Sequence, residues 1–61
     1  MLILCRKERE RIRISLPDGR CIWVMIAAIE KNLVRLGFEA PPEYVIDREE
    51  ILPAELRYQV K

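Results

Sequence analysis

The chain reads as all-β with a short C-terminal α-helix, and three observations carry that reading. Apolar and polar residues alternate with period 2 through most of the first three quarters of the sequence. The alternation is broken at Pro17-Asp18-Gly19, at Glu30-Lys31-Asn32 and at Ala40-Pro41-Pro42, clusters of turn-forming or ladder-breaking residues. Only after Asp47 does the apolar spacing become helical, with Ile51, Leu52, Leu56 and Val60. The expectation is five short strands, at about 1–6, 11–15, 21–29, 33–38 and 44–47, followed by a helix at about 48–60. All lie in a single domain, 1–61, without repeats, linkers or low-complexity stretches.

Each element has a local reason. Met1–Arg6 is a short apolar run ending in charge; as a strand it places Leu2, Leu4 and Arg6 on one face and Ile3 and Cys5 on the other. In Arg11–Ser15 the arginines 11 and 13 alternate with Ile12 and Ile14. Proline fixes φ and Gly19 tolerates a positive φ, so residues 17–19 turn the chain into a hairpin. The second arm, Cys21–Ile29, is apolar on both faces, as in a central strand covered on both sides. Asn32 suits a left-handed conformation before Leu33–Phe38, where Gly37 marks a bulge or a close backbone approach. Pro41 and Pro42 have no N–H to donate and end that strand, and Tyr44–Asp47 restarts extended with Tyr44, Ile46 and Arg48 in phase. Asp47 followed by Glu50 forms an Asp version of a capping box. Pro53 either kinks the helix or opens a new one at its first position, and the second arrangement is preferred.

Composition narrows the chemistry. Hydrophobic residues make up 51% and charged residues 34%, too apolar for a disordered tail. A core drawn from 61 residues rarely supplies more than about 3–5 kcal/mol unaided, so support from another chain is expected. Two cysteines and no histidine exclude a four-ligand zinc site within one chain, and no metal or other cofactor is expected. A Cys5–Cys21 bridge is conceivable on paper. However, the apolar run at the N-terminus stops at Arg6 and does not resemble a secretory signal, so a reducing cytoplasmic setting is expected. No apolar stretch reaches the roughly 18–20 residues that span a bilayer, so no membrane partner is expected. Without histidine there is no base that titrates near neutrality; Cys5 reads as a small core residue despite its cationic neighbours, and the adjacent Glu49 and Glu50 do not face a common site. Catalysis is not expected.

The net charge of +1 conceals a gradient. Residues 1–20 carry six cations against three anions, while residues 39–61 carry three against six. Eight of the eleven cations are arginine, whose planar fork suits phosphates and base edges, although a solvated mixed-charge surface explains the same composition.

Three segments together are specific. The chain opens Met-Leu-Ile-Leu-Cys-Arg-Lys (1–7), continues with Asn-Leu-Val-Arg-Leu-Gly-Phe-Glu-Ala-Pro (32–41) and reaches Asp-Arg-Glu-Glu-Ile (47–51). In that order and spacing they resemble the carbon storage regulator (CsrA/RsmA) family of small bacterial post-transcriptional regulators. The resemblance spans residues 1–51, with an insertion of about four residues near the Pro17–Gly19 turn.

The resemblance implies an intertwined homodimer in which the first and last strands of each chain pair with the partner's sheet and the terminal helices project outward. It implies binding of single-stranded GGA-containing segments of messenger RNA, with titration by small regulatory RNAs and control of translation or transcript stability. Carried over by motif position, the RNA surface comprises Leu4 and Arg6 of one chain and Ile46 and Arg48 of the other, with Lys7 and the Ala40-Pro41 backbone at its edge. An apolar shelf bordered by guanidinium groups suits splayed bases. For Leu4 and Ile46 the alternative is core packing. Tyr44, in phase with Arg48, is expected either to add a stacking platform or to pack at the dimer interface. Trp23 is expected in the core or on the sheet surface rather than in a ligand site.

Departures from the family pattern fall at Lys7, where a second arginine is common, at Arg9, where glycine is common, at Glu30-Lys31 and at Asp47. They motivate an alternative: a dimeric protein-interaction or antagonist paralogue that binds RNA weakly or not at all. A protein antagonist is a further candidate partner. A small DNA-binding dimer is disfavoured because no recognition helix is evident.

Overall fold

The computed structural model describes residues 1–58. Its centre is one antiparallel sheet in the order β1-β2-β3, with β1 at Arg11–Ser15, β2 at Cys21–Glu30 and β3 at Leu33–Glu39. The β1–β2 hairpin closes as its residues dictate. The Gly19 N–H donates to the Leu16 carbonyl at 3.0 Å, Gly19 takes φ +93°, and Leu16 and Arg20 pair across the loop. This is a type I turn followed by a left-handed glycine, a common geometry for a three-residue hairpin loop. Asp18 locks it by accepting the Arg20 N–H at 3.0 Å and its Nε–H at 2.7 Å.

Register sorts the side chains into two unlike faces. Ile12, Val24 and Phe38 align across the sheet, with Ile14 opposite Ile22 and Ile26 opposite Leu36. The other face carries Arg11, Met25 and Gly37 in one row and Arg13, Trp23 and Glu39 in the next. The apolar face is not covered by its own chain. Val24, 8% exposed, is the only buried apolar residue among those described, while Ile14, Leu36 and Phe38 stay about half exposed.

β2 is longer than β1, and the extra length is used at its far end. A register shift between Ile26 and Ala28 interrupts the β2–β3 ladder. On the opposite side the turn at 7–10 extends the pairing beyond β1: the Arg9 N–H donates to the Ile26 carbonyl at 2.6 Å and the Ile26 N–H to the Glu10 carbonyl at 3.0 Å. Glu8 reaches further and accepts the Ile29 N–H at 2.8 Å. Arg9 occupies the left-handed region at φ 73°, the one non-glycine residue to do so among those described.

Two departures from the sequence expectation are instructive. Residues 1–6 and 44–47 form no strand here: neither segment joins the β1-β2-β3 ladder, although β1 and β3 each keep an open edge. Leu2, Ile3 and Val45 are left 81%, 78% and 80% exposed. The expected helix at 48–60 is replaced, within the described residues, by two 3-10 turns at Glu49–Ile51 and Ala54–Leu56. Residues 59–60 of that expectation lie outside the described residues.

Proline is the cause. Leu52, which precedes it, is held extended at φ −83°, ψ 148°, and Pro53 itself takes ψ 151°, so helical propagation stops. Pro53 does precede a new turn, as the preferred arrangement anticipated, but as its flanking cap rather than its first residue. The expected Asp47 cap is not made; Arg48 occupies the cap position without a side-chain bond. Arg57 ties the two turns together by donating to the Leu52 and Glu50 carbonyls at 3.0 and 3.1 Å.

The left-handed arginine yields a stability test. Holding a side-chain-bearing residue there costs about 1–2 kcal/mol, and glycine's looser unfolded state returns roughly 0.5–1 kcal/mol of any gain. Arg9→Gly is therefore expected to raise the unfolding free energy by about 0.5–1 kcal/mol, seen as a higher urea midpoint at unchanged slope; a lower midpoint refutes the strain assignment.

Candidate functional site

The first group of candidate residues sits beside β1. Arg6 is clasped in place: its Nε–H donates to the Cys5 carbonyl at 3.0 Å, a terminal N–H to the Arg11 carbonyl at 3.4 Å, and its guanidinium pairs with Glu10 at 3.4 Å. Glu10 also accepts the Lys7 N–H at 2.7 Å, while the Glu10 N–H donates to the Lys7 carbonyl at 3.0 Å. That reciprocal pair closes the turn at 7–10 and sets where Arg6 and Lys7 stand. The Arg6–Glu10 ion pair is solvent-exposed and worth at most about 1 kcal/mol, so it orients the guanidinium without sequestering it. Leu4, just before it, is exposed.

The second group begins where β3 ends. Pro41 stops the ladder and its carbonyl accepts the Tyr44 N–H at 3.0 Å, a turn that carries Ala40 and Pro41 around the end of the sheet. The Tyr44 ring lies under Arg20, whose guanidinium carbon is 5.4 Å from the ring centre. Arg20 is in turn held by Asp18 at 2.7 Å and Glu43 at 3.8 Å. One side of the Tyr44 ring is thus occupied by a cation from the hairpin loop, and its hydroxyl is buried without a hydrogen-bond partner among the described residues. Beyond it the chain runs along β3, and Ile46, Asp47 and Arg48 line an open groove with Val34, Leu36 and Phe38. Arg48 forms no ion pair among the described residues.

Within one chain the two groups do not meet. Arg6 and Lys7 flank β1, whereas Ile46 and Arg48 flank β3, at the opposite edge of the three-stranded sheet. Tyr44 joins neither group; it packs against the hairpin loop, a contact the alternation of residues 44–48 gave no sign of. Cys5, read as a small core residue, is exposed; Cys21 is partly buried, and both thiols are free. No cluster of three or more histidine, cysteine or acidic side chains suited to a metal occurs among the described residues. None of the helices among those residues is long and apolar enough to cross a membrane.

Comparison with known proteins decides the family. The model of the CsrA global regulator protein family matches residues 1–56. The chain belongs to the CsrA family. Among curated CsrA relatives, the translational regulator CsrA of Wolinella succinogenes is 50% identical over 54 residues, 88% of this chain and 66% of that protein. The translational regulator CsrA of Halothermothrix orenii is 46% identical over 52 residues, covering 85% and 59% of the two chains. That of Bacillus velezensis is 47% identical over 51 residues, covering 84% and 64%. The chain spans less than two thirds of the length of each of these relatives. No solved structure matches it. CsrA is a family of regulators rather than of enzymes, and membership accords with a sequence that supplies no catalytic constellation.

The orphan hydroxyl gives a test of how Tyr44 is held. A buried hydroxyl without a partner gains nothing from burial, whereas the ring under Arg20 does. Tyr44→Phe is expected to leave stability unchanged or raise it by up to about 1 kcal/mol, while Tyr44→Leu lowers it by roughly 1 kcal/mol or more. Urea unfolding of both variants checks the pair, and a destabilised phenylalanine variant would reveal a missed partner.

Proposed function

We propose that this chain, as a single domain over 1–61, acts in the cytoplasm as a homodimeric post-transcriptional regulator. It binds single-stranded GGA-containing segments of messenger RNA and modulates translation or transcript stability, with small regulatory RNAs of the same motif as competitors. The observation that carries this reading is the placement of Arg6 and Arg48 at opposite edges of an open sheet, beside two apolar segments that lack strand partners. The relatives' names, translational regulator, support the same direction.

In the proposed dimer, residues 1–6 of one protomer lie beside residues 44–47 of the other, completing five strands per chain and covering the apolar face. The unpaired N–H and C=O groups of both segments are then satisfied across the interface. Leu4 and Arg6 of one protomer meet Ile46 and Arg48 of its partner. The apolar pair forms a shelf for unstacked bases, the guanidinium groups stack on them and bond their edges, and Lys7 neutralises phosphate. The Ala40-Pro41 backbone offers carbonyl acceptors at the edge. Tyr44 contributes through whichever side Arg20 leaves open, or by packing at the interface.

A second reading, a dimeric partner of proteins or an antagonist paralogue with little RNA affinity, is favoured by the ion pairs of the loops. Arg20 is engaged by Asp18 and Glu43, and Arg35 by Glu30 at 3.6 Å, so these cations are partly neutralised. A mobility-shift titration with a GGA hairpin at two salt concentrations separates the two readings. RNA binding through arginines weakens steeply as salt rises, and the absence of any shift favours the second.

Two outcomes are expected on the first reading. Arg48→Ala weakens GGA-hairpin binding by about 2 kcal/mol, roughly 30-fold, and unchanged affinity removes Arg48 from the site. Gel filtration is expected to give twice the 7.3 kDa mass of one chain, and elution as a monomer eliminates the composite surface.

A further inference from the structure

The sheet has a second face that the proposed dimer leaves unused. Where the first face is uniformly apolar and calls for another apolar surface, this one mixes cations, one aromatic ring and one carboxylate. Arg11, Met25 and Gly37 align in one row, and Arg13, Trp23 and Glu39 in the next. Gly37 supplies no side chain, so the rows enclose a depression of about 400 Å³ lined by Arg11, Trp23, Met25, Gly37, Phe38 and Glu39. That volume lies at the small end of the roughly 300–1,000 Å³ typical of ligand sites. Trp23 is 40% exposed, and Arg13 packs over its ring at 5.7 Å from the centre. Among the described residues neither Arg11 nor Glu39 enters an ion pair, so both side chains present unsatisfied charge at the rim.

The occupant follows from these groups. An exposed indole in a shallow depression accepts a flat ring, and β-sheet faces carrying an aromatic residue are established platforms for single-stranded bases. A phosphate alone does not fit, because Glu39 repels it. A base that presents two neighbouring donors does. Guanine offers N1–H and the 2-amino group side by side to a carboxylate, while the adjoining edge presents O6 and N7 to an arginine. Adenine places an acceptor where the carboxylate needs a donor, and uracil flanks its single donor with acceptors. Arg11 and Glu39 stand on the outer strands, roughly 12 Å apart, two strand spacings across and one row along, with Trp23 and Met25 on the strand between them.

We propose that this face is a second nucleotide site, separate from the composite surface, which takes one unpaired guanine of a single-stranded RNA. Trp23 stacks on the base, Glu39 accepts from N1–H and the 2-amino group, and Arg11 donates to O6 and N7. Arg13 then meets the flanking phosphate. Trp23, expected in the core or on the sheet surface rather than in a ligand site, stands on the surface, 40% exposed and opposite Glu39. The site extends the RNA-binding reading, but none of its four nucleotide-contacting residues belongs to the composite surface.

Trp23 is the chain's only tryptophan, so its own fluorescence reports occupancy. The probes are three single-stranded 12-nucleotide RNAs: all uridine, uridine with one central guanine, and uridine with one central adenine. Each is titrated against the unaltered protein, Arg48→Ala and Glu39→Gln, and GGA-hairpin binding is followed in parallel by mobility shift. The guanine RNA is expected to quench Trp23 in both the unaltered and Arg48→Ala proteins, at least about five-fold more tightly than the other two. Glu39→Gln is expected to abolish that preference and leave hairpin binding unchanged. Absence of quenching, equal quenching by all three RNAs, loss of quenching in Arg48→Ala, or an unaltered preference in Glu39→Gln each overturns the site. Quenching by guanine RNA without any hairpin shift sinks the composite surface and keeps this one.

Discussion

A three-stranded sheet has two edges and two faces, and this chain supplies cover for almost none of them. β2 is paired on both sides, but β1 and β3 each keep one edge open, and one face is a field of isoleucine, leucine, valine and phenylalanine of which, among the described residues, only Val24 is buried. Apolar surface left in water at about 25 cal/mol per Å² is a standing cost, and so is each unpaired strand edge. Nearly every other feature of the molecule answers to that imbalance. The two apolar segments at 1–6 and 44–47 remain unladdered in the single chain, and the proposed second copy is the most economical way to satisfy edges and face together.

The polar parts of the chain work at shorter range and are locally complete. Asp18 secures the hairpin loop, Glu10 secures the turn that orients Arg6, and Glu8 reaches the end of β2. These are charge-assisted bonds to backbone N–H groups, stronger and more directional than exposed ion pairs. They explain why Arg6 and Lys7 stand at defined places while the apolar surface of the sheet is still open. The two faces of the sheet are correspondingly unlike. One is suited to burial against another protein surface, the other to a flat polar ligand, and each follows from which side chains the register puts in line.

Much of the architecture was legible in advance. The alternation of Arg11–Ser15, the Pro17-Asp18-Gly19 turn and the long apolar run from Cys21 each carry their own local signal, since φ restriction and side-chain alternation act within a few residues. The family could be read from three short motifs. Harder to read was any feature whose partner is distant in sequence. Arg20 lies over Tyr44 because the hairpin loop and the turn after Pro41 reach the same end of the sheet, and no spacing rule in either segment announces it. The exposure of Trp23 was hidden too, because an apolar run on both faces of a strand looks the same whether or not the second face is covered. At the carboxyl-terminal end a break at Pro53 is legible from sequence, but the helical spacing of Ile51, Leu52 and Leu56 gives no sign that each side stays a single 3-10 turn; Leu52, held extended before the proline, ends the first turn before a helix can propagate.

By itself, then, the sequence determined the three strands of the central sheet, the turns that join them, the family to which the chain belongs and the residue types available to meet RNA, because these depend on φ preferences and on the order of side chains. Tertiary structure alone decided which residues share a face, that Arg6 and Arg48 stand at opposite edges of the sheet, and that Arg11, Trp23 and Glu39 surround one depression. The reason is that strand pairing brings together residues tens of positions apart, and the register on which every such meeting depends is fixed by the packing of the sheet as a whole.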